Sequence, residues 1–234
     1  MSSVVSNRNI EPWRRRLLLP AYTITDAARY VDQSPQLVAS WHYRETSSGV
    51  LLPGKEHRKP LSYLQLIEVA VVSTFRKLNV PLQRVRKARQ YLAQRFNVEF
   101  PFTEFRFKTE GFHILLDLEQ FEHDEDLRLV VADKSGQLAW EQVMEDRLLE
   151  FDYEDGGVVI KWHLAGRQSL VVIDPRIAFG APNVQGIPTW VLKGRHQAGE
   201  TVTDIRDDFG LKEDAIIDGL LFEGISKEEI TLVS

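Results

Sequence analysis

Few residues in this chain are spaced for catalysis. Its six histidines, His42, His57, His113, His123, His163 and His196, never fall in the HxxxH or HExxH spacing that sets two imidazoles on one helix face. There is no cysteine, which excludes a thiolate metal site and a disulfide framework. Two acidic runs carry oxygen ligands. His123-Asp124-Glu125-Asp126 could hold a cation, though a solvated acidic loop accounts for it more simply. Asp152-Tyr153-Glu154-Asp155-Gly156-Gly157 opens like a calcium loop, but it lacks the closing Glu and fits a hairpin turn better. Asp174 precedes Pro175, where a turn role is sufficient, and no glycine loop cradles a phosphate. The expectation is therefore no catalytic residue, no metal site and no cofactor.

Anion binding is better provided for. Lys55, His57, Arg58 and Lys59 form a basic tip after Pro53-Gly54, and Arg44 lies just upstream. Gln36, Ala39, Ser40 and His42 precede them at spacings that leave them on one side of a helix. Small and amide side chains suit close approach to base edges, and cations suit phosphate. The expected DNA-binding residues are thus Gln36, Ser40, His42, Arg44, Lys55, Arg58 and Lys59.

The elements that must position these groups follow from local signals. Thr25-Asp26 offers capping oxygens for a helix with Ala27, Ala28 and Val31 on its inner side. Ser34-Pro35 starts a second helix to about Tyr43, with Leu37, Val38 and Trp41 apolar. Ser62-x-x-Gln65 is a capping box for a long helix whose Leu64, Ile67, Val71, Phe75 and Leu78 recur at helical spacing. Two short helices, a basic loop and a longer helix make a winged helix-turn-helix pattern. A further helix from Pro81 carries Arg84, Arg86, Lys87, Arg89 and Arg95, which extends the basic surface.

From Phe100 the pattern becomes α+β. Phe105 to Phe107 and His113 to Leu118 read as a hairpin, Leu127 to Ala132 as a strand, and Gln137 to Leu149 as a helix. Phe151 to Tyr153 and Val158 to Trp162 read as a second hairpin. Trp140, Phe151 and Trp162 could line a small-molecule pocket, although such aromatics more often form core. After the strand Val171–Ile173 come helices from Thr189 to about Gln197, from Val202 to Phe209 behind a Thr201-x-x-Asp204 cap, and from Glu213 to Glu223. Ile216, Leu220, Leu221 and Ile225 form an apolar face expected to serve dimerisation.

The expected fold class is α+β. Its parts are a flexible basic arm (1–20), a winged helix-turn-helix (21–98), a central α+β unit (99–169) and a C-terminal helical domain of helix-turn-helix-like spacing (170–234). Composition is that of an ordinary globular protein, 43% hydrophobic and 27% charged over 234 residues. The net charge of −5 divides unevenly. Residues 1–100 hold 16 Lys+Arg against 7 Asp+Glu, and residues 101–234 hold 13 against 27. Such asymmetry suggests either different partners for the two halves or docking of one half on the other. No apolar run approaches the roughly 18 residues of a membrane span, and Leu17 to Leu19 is too short for a signal peptide. A cytoplasmic protein that contacts no membrane is the simplest expectation.

Two stretches resemble known families. TITDAARYVDQSPQLVASW, the basic loop and LSYLQLIEVAVVSTFRKLNVPLQRVRKARQYL resemble the N-terminal winged helix-turn-helix of MerR-type regulators. Asp174-Pro175, Phe179-Gly180, Pro182, Gly186-x-Pro188-Thr189, Ala198-Gly199-Glu200 and Asp208-Phe209-Gly210 resemble domain-of-unknown-function family 433, whose members are often described as VapB-like antitoxins. The chain departs from the MerR pattern at Gln36, Ala39 and Ser40, where arginines are usual, and it lacks the sensing coiled coil and cysteine ligands. The resemblance implies an antitoxin of a type II toxin–antitoxin pair. It would bind a cognate toxin, a PIN-like ribonuclease, and repress its own operon by binding double-stranded promoter DNA as a homodimer. An acidic half suits the basic surface of an RNA-cleaving enzyme. Arg176, Arg195 and Arg206 are the candidates for reaching such an enzyme's metal carboxylates. The competing expectation is a stand-alone MerR-like regulator whose central unit senses a small molecule.

Overall fold

The computed structural model describes residues 12–47, 49–108, 143–155 and 157–232. It is α+β and divides into two compact units, Met1–Leu148 with Tyr153–Val159, and Leu149–Asp152 with Ile160–Ser234.

The first unit is built around one helix. Helix α1 (Pro12–Arg16) is followed by Leu17, which is buried and whose carbonyl accepts from Leu64 N at 3.2 Å, so this end of the expected arm is docked. Residues 1–11 of that arm lie outside the described residues. Helices α2 (Ile24–Val31) and α3 (Pro35–Tyr43) pack on each other, joined by a turn in which Asp32 sits at φ 54°. The cap of α2 is Thr23 rather than Thr25: Thr23 Oγ1 accepts from Asp26 N at 3.0 Å and Asp26 Oδ2 accepts from Thr23 N at 3.0 Å. Ser34 caps α3, with Pro35 in the first turn where its missing N–H costs nothing. Helix α4 (Tyr63–Lys77) opens on the Ser62–Gln65 capping box, and every residue from Tyr63 to Phe75 is buried. An all-round buried helix needs its one charge matched. Glu68 accepts Arg89 Nε at 2.6 Å and Phe102 N at 3.3 Å, which ties α4 to α5 (Leu82–Phe96) and to the turn Pro101–Thr103.

Residues 105–108 are helical, not the strand that Phe105-Arg106-Phe107 suggests. Phe102 and Phe107 pack at 5.0 Å between ring centres, and Phe102 meets Phe75 at 5.7 Å. Three aromatics sharing one core outweigh the strand propensity of an alternating tripeptide. The expected hairpin at His113–Leu118, the strand Leu127–Ala132 and Trp140 lie outside the described residues. Residues 143–149 are helical, α6.

An antiparallel five-stranded sheet, all of it in the second unit except Tyr153 and Val159, runs in the order β1 (Phe151–Tyr153), β2 (Val159–His163), β3 (Val171–Ile173), β4 (Asn183–Val184) and β5 (Ile187–Pro188). The register pairs Trp162 with Ile173, Val171 with Val184 and Asn183 with Pro188. Gln185 and Gly186, both at positive φ, make the two-residue turn between β4 and β5. Helices α7 (Thr189–Gln197), α8 (Val202–Phe209) and α9 (Glu213–Phe222) follow, and α9 packs on the sheet and on both other helices. A Cβ on Gly219 would lie 2.8 Å from Leu192 Cδ1, which marks how closely α9 approaches α7. The chain does not end its structure at Glu223: α10 (Lys227–Leu232) continues it, capped by Ser226, whose Oγ accepts from Glu229 N at 3.2 Å.

Candidate functional site

The expected DNA-facing residues are split by the fold. Gln36 and Arg44 are exposed at either end of α3. Ser40 is half-buried, and its hydroxyl donates to Leu37 O at 2.7 Å within the helix. His42 is the clear departure. It is 4% exposed, with Nδ1 3.1 Å from Leu52 O, because the loop after α3 turns back and covers it. Leu52 N donates to Trp41 O at 2.9 Å, and Leu51 and Leu52 are both buried. Burial above all holds the His42 pKa down at about 4, helped by the positive charges of Lys55 and Arg89. His42 therefore faces the core as a neutral ring and not a groove.

The same loop supplies the remaining cations. It is irregular over residues 44–47 and 49–60, and Leu61 bridges back to Tyr22, donating to Tyr22 O at 2.6 Å and accepting from Tyr22 N at 3.0 Å. Lys55 donates to Glu56 O at 2.9 Å and to Lys59 O, and its ammonium stands 5.7 Å from the Tyr43 ring centre. His57 also meets Tyr43, with ring centres 5.8 Å apart. Lys59 pairs with Glu56 at 2.5 Å, and Arg58 is exposed at φ 66°. Tyr43 thus pins the basic loop to the end of α3. Sequence reasoning missed it, treating it only as a helix end; the signal was an aromatic closing an exposed helix face just ahead of a basic run.

The extended basic surface is narrower than its residue count. Arg86 and Arg89 are buried, Arg84 and Lys87 half-buried, and Arg95 exposed. Burial works against the Arg86 charge and lowers its pKa.

In the second unit the residues expected to meet a toxin are each engaged within the chain. The Arg176 guanidinium donates to both carboxylate oxygens of Asp174, at 2.6 to 3.2 Å. Arg195 pairs with Glu200 and with Asp208 at 2.5 Å, and Arg206 with Asp207 at 2.8 Å and Glu213 at 2.6 Å. The expected dimer face is core. Ile216, Leu220 and Ile225 are buried with Val171, Val184, Leu192 and Ile205, because the sheet covers the side of α9 that looks apolar in sequence. Leu221 alone is partly buried, lining a cavity of about 450 Å³ with Val171, Asp218 and Phe222. Phe151 and Trp162 are also core, ring centres 5.9 Å apart. Asp152, the acid that would open a calcium loop, is occupied by Arg167, by His163 at 3.3 Å and by Lys161 at 3.4 Å. Against the effect of burial, the Arg167 and His163 hydrogen bonds hold its pKa down at about 2.

No family model matches the chain. A Mycobacterium tuberculosis protein named "Putative antitoxin VapB45" is 24% identical over 227 residues, spanning 88% of this chain and 94% of its own. The chain is similar to that protein along nearly its whole length. The X-ray crystal structure of Rv2018 from Mycobacterium tuberculosis superposes with a TM-score of 0.71 at 24% identity, over 88% of this chain and 99% of that one. That second likeness is one of fold. Among the described residues no helix is long and apolar enough to cross a membrane, and no group of His, Asp and Glu is arranged to hold a metal.

Proposed function

We propose that this chain is the antitoxin of a type II toxin–antitoxin pair, that it neutralises a PIN-like ribonuclease through its acidic C-terminal unit, and that it represses its own operon by binding promoter DNA. The observation that carries the reading is similarity to an antitoxin over 88% of the chain and 94% of the relative, which spans both units rather than one shared module. The DNA arm is a winged helix-turn-helix: α2 supports α3, Gln36 and Tyr43 lie on the open face, and Arg44, Lys55, Arg58 and Lys59 hold phosphate. A homodimer on paired half-sites supplies the specificity that one short-side-chain helix lacks.

The test is binding of the full-length protein to its own promoter fragment across a salt series, together with co-purification of the neighbouring gene product. Four phosphate-facing cations predict a log–log salt slope of about −4 per protomer, at about −0.9 per contact. A salt-independent interaction, or none, removes the DNA arm. A neighbouring product that neither binds nor is inhibited removes the antitoxin role.

A further inference from the structure

The segment from Asp174 to Gly180 ends in an unfavourable backbone conformation. Ala178, Phe179 and Gly180 are consecutive left-handed residues, at φ 47°, 55° and 81°. Only glycine takes that region without cost, so two of the three are strained. The surroundings over-determine them. Asp174, fully buried, accepts from Arg176 N at 2.9 Å as well as from its guanidinium, and Ile177 N donates to Asp174 O at 2.9 Å. Gly180 N then bonds Ile177 O at 2.8 Å, and Ala181 N bonds Ala178 O at 3.1 Å. The outcome of this bracing is that Phe179 stands 84% exposed. Trp190, in the first turn of α7, is 64% exposed, and Thr189 N donating to Pro182 O at 2.9 Å keeps that turn beside the chain leaving Gly180. Ile177 is exposed as well.

A strained backbone that holds a large apolar side chain mostly in water adds little to the unit's own core. We infer that Phe179, with Trp190 and Ile177, anchors an interface with a protein whose surface offers an apolar pocket rimmed by basic side chains. The charge of the unit selects that partner. Its residues hold 13 Asp+Glu against 8 Lys+Arg, a net of −5. Its arginines Arg167, Arg176, Arg195 and Arg206 are each paired with the unit's own carboxylates, while acids outside those pairs, Asp214 and Glu228 among them, are exposed. A second copy would bring surfaces of one sign together; a basic surface would not. Exposed rigid aromatics are the side chains that dominate such interfaces, and a pre-braced turn loses little freedom on docking. The inference rests on the toxin-binding reading above and names where that binding is anchored.

The test uses the full-length chain and the protein encoded beside it, with affinity measured by calorimetry. Phe179→Gly should weaken binding about thirtyfold or more, the loss typical of an interface hot spot. It should do so with unchanged or raised thermal stability, because glycine relieves the left-handed strain. Trp190→Ser should weaken binding similarly, Leu232→Ser, at an exposed apolar position of the same unit, should not, and wild-type affinity should fall with salt. Undiminished affinity of Phe179→Gly overturns the inference and leaves the antitoxin role standing. No binding by the wild type overturns both. A wild-type dimer that Phe179→Gly dissociates, with affinity for the neighbouring protein intact, assigns the surface to a second copy and also overturns it.

Discussion

Acidification should weaken the first unit through His42, by an amount the burial of that ring sets. In the unfolded chain the imidazole takes a proton near its ordinary 6.5; in the fold, enclosed by Leu52 and facing Lys55 and Arg89, it resists until about 4. A folded pKa below the unfolded one contributes stability that is complete above 6.5 and lost as pH falls toward 4. At 1.36 kcal/mol for each unit, the loss between pH 7 and pH 4 is about 3 kcal/mol. The whole-protein profile does not display this alone, since buried Glu68 works the other way over much of the same range. The quantity to measure is therefore the stability of the wild type minus that of His42→Gln, an amide that can still donate to Leu52 O. Native-state amide hydrogen exchange in α4 reads it, because that helix belongs to the first unit only. The difference should shrink by about 3 kcal/mol from pH 7 to pH 4. A difference that stays constant within about 0.5 kcal/mol would refute the claim that the ring is buried neutral behind the loop.

Glu68→Gln should give a difference of opposite slope: burial pushes that carboxyl up to about 7 against the pull of Arg89, so its contribution is present below pH 4.5 and lost as pH rises through 7, read by the same exchange experiment. Gly219→Ala should destabilise the second unit by about 1 kcal/mol net in urea denaturation, since overpacking against Leu192 costs more than the helix gains. Ser226→Ala should cost roughly 1 kcal/mol locally and release α10, seen as faster exchange of its amides while α9 is unchanged. Arg44→Ala and Arg58→Ala should each flatten the promoter-binding salt slope by about 1 without changing which sequence is preferred.

The local grammar of the chain is readable because its rules act within one turn. Ser34-Pro35, Ser62-x-x-Gln65, Thr201-x-x-Asp204 and Gly210 begin and end helices where the structure does, since a cap needs only an oxygen three residues from an orphan N–H. The same rule, applied at Ser226-x-x-Glu229, would have found α10. The hairpin of β1 and β2 and the strand Val171–Ile173 were likewise visible in runs of β-branched and aromatic residues between turns.

Exposure was another matter, because it depends on what arrives from far along the chain. His42 lies on the polar side of its helix by periodicity, and only the return of Leu51 and Leu52 buries it. Ile216 and Leu220 look like a free apolar face until β3 and β4 are laid over α9. Arg176, Arg195 and Arg206 look like available cations until Asp174, Asp208 and Glu213 close on them. Conversely, nothing in Ile-Ala-Phe-Gly announces that the phenylalanine points to water; the brace from Asp174 decides that. The sequence by itself determined where helices start, where turns fall and how charge is divided along the chain. Which side chains remain to meet a partner was decided by the tertiary structure, because solvent access is a property of the surrounding packing and not of the residue.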